Sequence, residues 1–162
     1  MAELFERHRR IGIDSNVLIY LFEAAGREAD AAQALIDGLD EGLAEGVVSA
    51  IVLTEVLAHP ACRGDGAVVE RYARELRSLP NVRVVPVGDE IAIDAAWGRA
   101  SGRDLGDAIH MATARKAGAT CFVTNDRRIT GRAGVEAVLL SDISVPEDPG
   151  TAPMGDPGEA EG

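Results

Sequence analysis

At 162 residues, with 46% apolar and 27% charged residues, the chain suits one globular domain large enough to bury a core. No apolar run approaches the roughly 18 residues of a membrane span, and MAELFERHRR has no leader-type apolar core or cleavage site, so a cytoplasmic protein without a membrane partner is expected. The net charge of −11 argues against a basic nucleic-acid binder, yet six acids and no base lie from Asp142 onward, leaving about −5 for the rest.

Residues 10–14 (RIGID) read as a short buried strand, and 16–24 as a helix with Ser15 or Asn16 as its cap. Residues 28–44 form an amphipathic helix, with Ala31, Leu35, Leu39 and Leu43 recurring every four positions. A strand at 47–49 leads into AIVLTEVLAH, a helix apolar nearly all round that Pro60 should stop. Another helix covers 65–78, where Val68, Tyr72 and Leu76 share a face. VRVVPV is a strand whose Pro86 marks its end or a sheet edge. EIAIDAAWGRA and DAIHMATARKAG are helices separated by the SGR turn, with Gly118 closing the second. TCFVTND is a strand and loop, and VEAVLL a last strand.

Strands alternating with helices predict an α/β/α sandwich, a mostly parallel central sheet of four or five strands flanked by helices. The domain is expected over 1–144, with 145–162 an acidic, Pro- and Gly-rich disordered tail. Cys62 and Cys121 lack metal-type spacing and read as free thiols, Cys121 packed in a strand. Fifteen of the sixteen basic residues are Arg, which suits phosphate recognition and equally reflects coding bias.

Four carboxylates stand in apolar surroundings. Asp14 ends the first strand, and Glu55 lies inside a helix with almost no polar face. Asp107 opens DAIHMATA, and Asp126 follows CFVT. Singly, Asp14 reads as a cap or turn residue, Asp107 as a partner of the helix dipole and Asp126 as an Asx turn. Ligands of such sheets bind beyond the carboxyl ends of the strands, where Asp14 and Asp126 fall. Carboxylates converging there would repel one another and raise their pKa values. Divalent cations relieve that repulsion, and oxygen ligands suit Mg²⁺ or Mn²⁺ rather than zinc. An acidic cluster holding one or two such ions is suited to phosphodiester hydrolysis.

Three blocks, IGIDSNVLIYLF, SAIVLTEVLAHP and LGDAIHMATARKAGATCFVTNDRRI, resemble the PIN-domain family in order, spacing and local sequence, and in particular its VapC-type toxin branch. The resemblance covers about residues 10–141. It implies a metal-dependent endoribonuclease, the toxin of a toxin–antitoxin pair, leaving 5′-phosphate and 3′-hydroxyl ends. Asp14, Glu55, Asp107 and Asp126 match the family's acidic positions, with Asp14 central and Asp126 binding metal directly or through water. Ser15, Asn16, Thr124 and Asn125 lie beside these ligands and would orient them. RNA is the implied substrate, with an antitoxin and a second copy of the chain as partners.

Asp104 reads as the N-cap of the helix carrying Asp107, or as a further metal ligand. His110 reads as a packed core histidine. Arg127 and Arg128 either touch RNA phosphates or belong to a solvated loop. Since the chain is acidic where the family's toxins are commonly basic, the alternative is a PIN-like binding module that acts through a protein partner without cleaving RNA.

Overall fold

The computed structural model describes residues 1–23, 25–131 and 134–143. In chain order its elements are α1 (Ala2–Arg7), β1 (Arg10–Ile13), α2 (Ser15–Glu23), α3 (Arg27–Asp40), β2 (Glu45–Ser49), α4 (Val52–Cys62) and α5 (Gly66–Arg77). They continue as β3 (Val82–Val85), α6 (Asp89–Ala100), α7 (Leu105–Lys116), β4 (Cys121–Thr124) and β5 (Glu136–Leu139), closed by a 3₁₀ turn at Leu140–Asp142. The strands form one sheet in the order β3-β2-β1-β4-β5, and every pairing is parallel.

Pairing a strand in parallel requires a crossover, and helices supply it on both faces. Period-two alternation divides the side chains between those faces. Ile11 and Ile13 of β1, Val48 of β2 and Cys121 and Val123 of β4 join the larger core with residues of α2, α3, α4 and α5. Phe122 points the other way, into a cluster with Met111 and Ala114 of α7. Gly12 shares that second face. A Cβ there would lie 2.5 Å from the Ala114 Cβ, so glycine is what lets α7 lie tight against the central strand. Asp14 is two residues farther on, and the same alternation aims it at the α7 side.

The expected sandwich is therefore present, with five strands, all parallel. Several boundaries differ from the sequence reading. Pro60 does not stop α4, which continues to Cys62. The proline's missing N–H falls in the final turn, where the loss of one helical bond is small, and its ring is buried. Neither Ser15 nor Asn16 caps α2. Asp14 does, its backbone carbonyl accepting from the Val17 N–H at 3.2 Å. The third helix ends at Asp40, four residues early, and β2 begins at Glu45. α7 begins at Leu105, so Asp107 lies within its first turn instead of opening it. The short α1 has no counterpart in the sequence pattern, because only Leu4 and Phe5 of its six residues are buried, too few for a visible period. β3 stops just before Pro86 and is an edge strand, as that proline suggested. The tail expected from residue 145 lies outside the described residues.

Candidate functional site

Because all five strands run the same way, their carboxyl ends share one edge of the sheet. Asp14 follows β1 there, and Asp126 lies two residues past β4. α4 begins three residues after β2 ends, which puts Glu55 in its first turn at that edge. α7 leads back to the start of β4, so its N-terminal turn, carrying Asp107, lies at the same edge. Topology alone brings the four predicted acids to one side of the molecule.

Asp14 is the most enclosed, at 3% exposed. One oxygen accepts from the Ser15 N–H at 2.8 Å. The other accepts from the Asn16 amide at 2.8 Å and from the Thr124 hydroxyl at 2.6 Å. Burial pushes its pKa above the ordinary aspartate value and Glu55 adds to this, while the Thr124 hydrogen bond, His110 and the Ser15 N–H oppose it. The net direction is upward. All its hydrogen-bond donors are neutral, so its charge has no counter-charge bonded to it.

Asn16 Oδ1 also accepts from the Asn125 N–H at 3.2 Å, and the Thr124 hydroxyl accepts from the Asp126 N–H at 3.0 Å. Asn125 in turn reaches the Tyr20 hydroxyl at 3.5 Å and accepts from the Ser141 N–H at 3.3 Å. Ser15, Asn16, Thr124 and Asn125 thus form one hydrogen-bonded lattice joining the ends of β1 and β4. Tyr20 and Ser141 belong to the same lattice, and nothing in their local sequence marked them.

Glu55 is held from α7. Its Oε2 lies 2.7 Å from His110 Nε2. Burial raises its pKa, but hydrogen bonds from His110 and the Ser15 side chain outweigh this, and the net value is lowered. His110 is 2% exposed, in keeping with a packed histidine, but its ring is bonded to a candidate ligand as well. The sequence carried half of this signal: a Glu in an apolar helix needs a partner, and a His one turn beyond Asp107 was available.

Asp107 carries the largest shift among the four. Burial, and then the negative charges of Asp104, Asp14 and Asp126, push its pKa up to about 6. Asp104 caps α7, its Oδ1 accepting from the Asp107 N–H at 2.9 Å. A cleft of about 290 Å³ opens beside these two acids, lined also by Ser101, Arg103, Arg128 and Thr130. A larger hollow of about 720 Å³ lies at α1 and β5 and touches none of the four acids.

Asp126 differs from the rest. Arg128 donates from Nε to both of its oxygens at 3.0 Å, and its backbone N–H adds a bond of 2.9 Å. These bonds lower the Asp126 pKa. The Arg128 side chain is 80% exposed, as in a solvated loop, yet it is turned onto Asp126, and Arg127 beside it is exposed.

Among the described residues, no three His, Cys, Asp or Glu side chains are gathered closely enough as they stand to hold a metal ion. His110 and Arg128 each engage one of the acids. The charge imbalance at Asp14 and Asp107 and the all-oxygen donor set nonetheless fit a hard divalent cation. Both cysteines are free; Cys62 is exposed, and burial and then Glu136 push the buried Cys121 thiol up to about 12. No described helix is long and apolar enough to cross a membrane.

A model of the PIN domain family matches residues 11–135. Comparison with curated protein sequences finds no match. Among solved structures, the chain is similar to a toxin–antitoxin complex from Klebsiella pneumoniae at 25% identity and a TM-score of 0.56, covering 78% of this chain and 94% of that one. It also shares its fold with VapBC2 from Rickettsia felis bound to a promoter DNA fragment, at 12% identity and a TM-score of 0.64, covering 80% and 98%. A third neighbour is VapC20 from Mycobacterium tuberculosis, a sarcin-ricin loop cleaving toxin, at 20% identity and a TM-score of 0.56, covering 70% and 86%. The family match agrees with the PIN-domain resemblance read from the sequence, and the neighbours share its fold.

Proposed function

Because the chain belongs to the PIN-domain family, we propose that it is a metal-dependent endoribonuclease, the toxin of a toxin–antitoxin pair, with Asp14, Glu55, Asp107 and Asp126 as its acidic centre. The observation that carries this is Asp107, pushed to about 6 by burial and then by the negative charges of Asp104, Asp14 and Asp126. A stable fold tolerates such repulsion when function requires it. Members of the family generally use divalent metal ions, and Mg²⁺ or Mn²⁺ matches the oxygen donors. When bound, one or two such ions supply water activation and neutralisation of phosphate charge.

The chain's own residues supply the rest. Asp14 is fixed by Ser15, Asn16 and Thr124, so its carboxylate is ordered before any ligand arrives. Glu55 and Asp107 face it from two helices. Asp104 serves as the cap of α7, which accounts for it without a ligand role. Arg128, with Arg127 beside it, stands at the mouth, where an incoming phosphate would compete with Asp126 for the guanidinium. An antitoxin is the expected partner. Self-association has a physical motive in Ile93 and Trp97, one turn apart on α6 and 65% and 66% exposed.

The test is RNA cleavage by the purified chain with Mg²⁺ or Mn²⁺ and with EDTA, alongside Asp14→Asn, with the product ends mapped. Metal-dependent cleavage that vanishes in the variant is the expected result. Metal binding with no cleavage on a broad RNA panel would instead favour the non-cleaving binding module, which the acidic charge balance also suits.

A further inference from the structure

We propose that His110 and Gly106, both on α7, form a seat that fixes the Glu55 carboxylate, making His110 a positioning residue of the acidic centre. The inference rests on the metal-site reading above and goes beyond it by assigning a role to two residues that are not acids. Glu55 projects from α4, and nothing on its own helix orients it. Its Oε2 lies 2.7 Å from His110 Nε2. A carboxylate only accepts, so Nε2 carries the hydrogen. Its Oε1 lies over Gly106, where a Cβ would come within 2.6 Å of it. The carboxylate is thus held by His110, with the Ser15 hydroxyl of α2 as a second donor, and its Oε1 lies in a gap that the absent Gly106 side chain leaves open.

His110 is 2% exposed, and its Nδ1 has no hydrogen-bond partner among the described residues. That orphaned nitrogen is a standing penalty, and the Glu55 bond is what it supports. The buried imidazole cannot follow solvent, so it restricts the carboxylate to one orientation, as partners of metal-binding carboxylates do.

The experiment is a Mn²⁺ titration of the full chain, followed by electron paramagnetic resonance, with melting in EDTA as the folding control. His110→Leu should weaken Mn²⁺ about tenfold or more, and His110→Gln, which keeps an N–H donor, should restore most of that loss. Gly106→Ala is the second variant. Alanine favours the helix, so melting should hold or rise, while the displaced Glu55 carboxylate weakens Mn²⁺. If His110→Leu and Gly106→Ala fold and bind Mn²⁺ as the wild type does, the seat is overturned and the nuclease reading stands. If the wild-type chain binds no Mn²⁺, the metal-site reading itself falls and takes the seat with it.

Discussion

Asp14 and Asp126 occupy equivalent places, each just beyond one of two neighbouring parallel strands, yet their surroundings are opposite. Asp14 is enclosed by neutral donors and its pKa is raised; Asp126 is bonded to Arg128 and its pKa is lowered. The same side chain at the same edge therefore has a different charge economy on each side of the β1–β4 pair. Where donors are neutral, the negative charge is left for a cation to balance. Where an Arg is already present, a metal ion must compete with it. The proposed centre therefore has a fixed side, Asp14 with Asp107 and Glu55, and an adjustable side at Asp126.

The largest expected effect is on the fixed side. Asp14→Asn should lower RNA cleavage by on the order of a thousandfold, since the metal's charge stabilisation is worth several kcal/mol and each 1.4 kcal/mol is tenfold. Retained cleavage would dissolve the distinction between the two sides.

Asp107→Asn tests the same side through stability. An acid whose folded pKa is raised from 3.8 to about 6 destabilises the fold wherever the unfolded chain is ionised. The penalty is absent below about 4, grows between about 4 and 6, and is complete above. Asp107→Asn should therefore melt higher than wild type in EDTA at pH 7, by on the order of 1 kcal/mol after allowance for solvent screening. The gain should disappear near pH 4, and cleavage should be lost. Melting curves across pH decide it, and a variant equally stable at all pH values would mean that the acids do not feel one another.

Arg128→Ala addresses the adjustable side. Freed of its partner, Asp126 should gain Mn²⁺ affinity by only roughly a few fold, because the competing ion pair is exposed and weak. The KM for RNA should rise as a phosphate contact is lost. A metal affinity that does not change would place Asp126 outside direct ligation.

The smallest effect belongs to Asp104. Removal of the α7 cap in Asp104→Ala should cost about 1 kcal/mol of stability, read by denaturant unfolding. It should leave cleavage near the wild-type rate. A collapse of activity in a folded Asp104→Ala variant would restore the ligand alternative.

What the sequence makes legible follows from distance along the chain. Asp14, Glu55 and Asp107 stand out because each adjoins an apolar run, where a charge is costly wherever the chain goes, and Asp126 because it closely follows the apolar strand CFVT. The alternation of strand and helix gives the layers. It does not give the strand order, which depends on contacts between segments far apart. The His110–Glu55 bond spans 55 residues and the Thr124–Asp14 bond spans 110, so neither has a local pattern. The Arg128–Asp126 pair is only two residues apart and was still unreadable, because loop geometry, not spacing, turns one side chain back on the other. The helix boundaries near Pro60 and Asp40 were missed for a related reason: tertiary packing sets where a marginal last turn ends.

That 110-residue span has a consequence during synthesis. Asp14 emerges early, but the Thr124 hydroxyl that orders it emerges only after most of the domain has been made. Parallel pairing of β1 with β4 closes a long loop, which is slow relative to local helix formation. A chain still on the ribosome thus lacks the lattice around its central acid, and a truncated product never acquires it. The acidic centre is in this way assembled last, with its first acid waiting on the fourth of five strands.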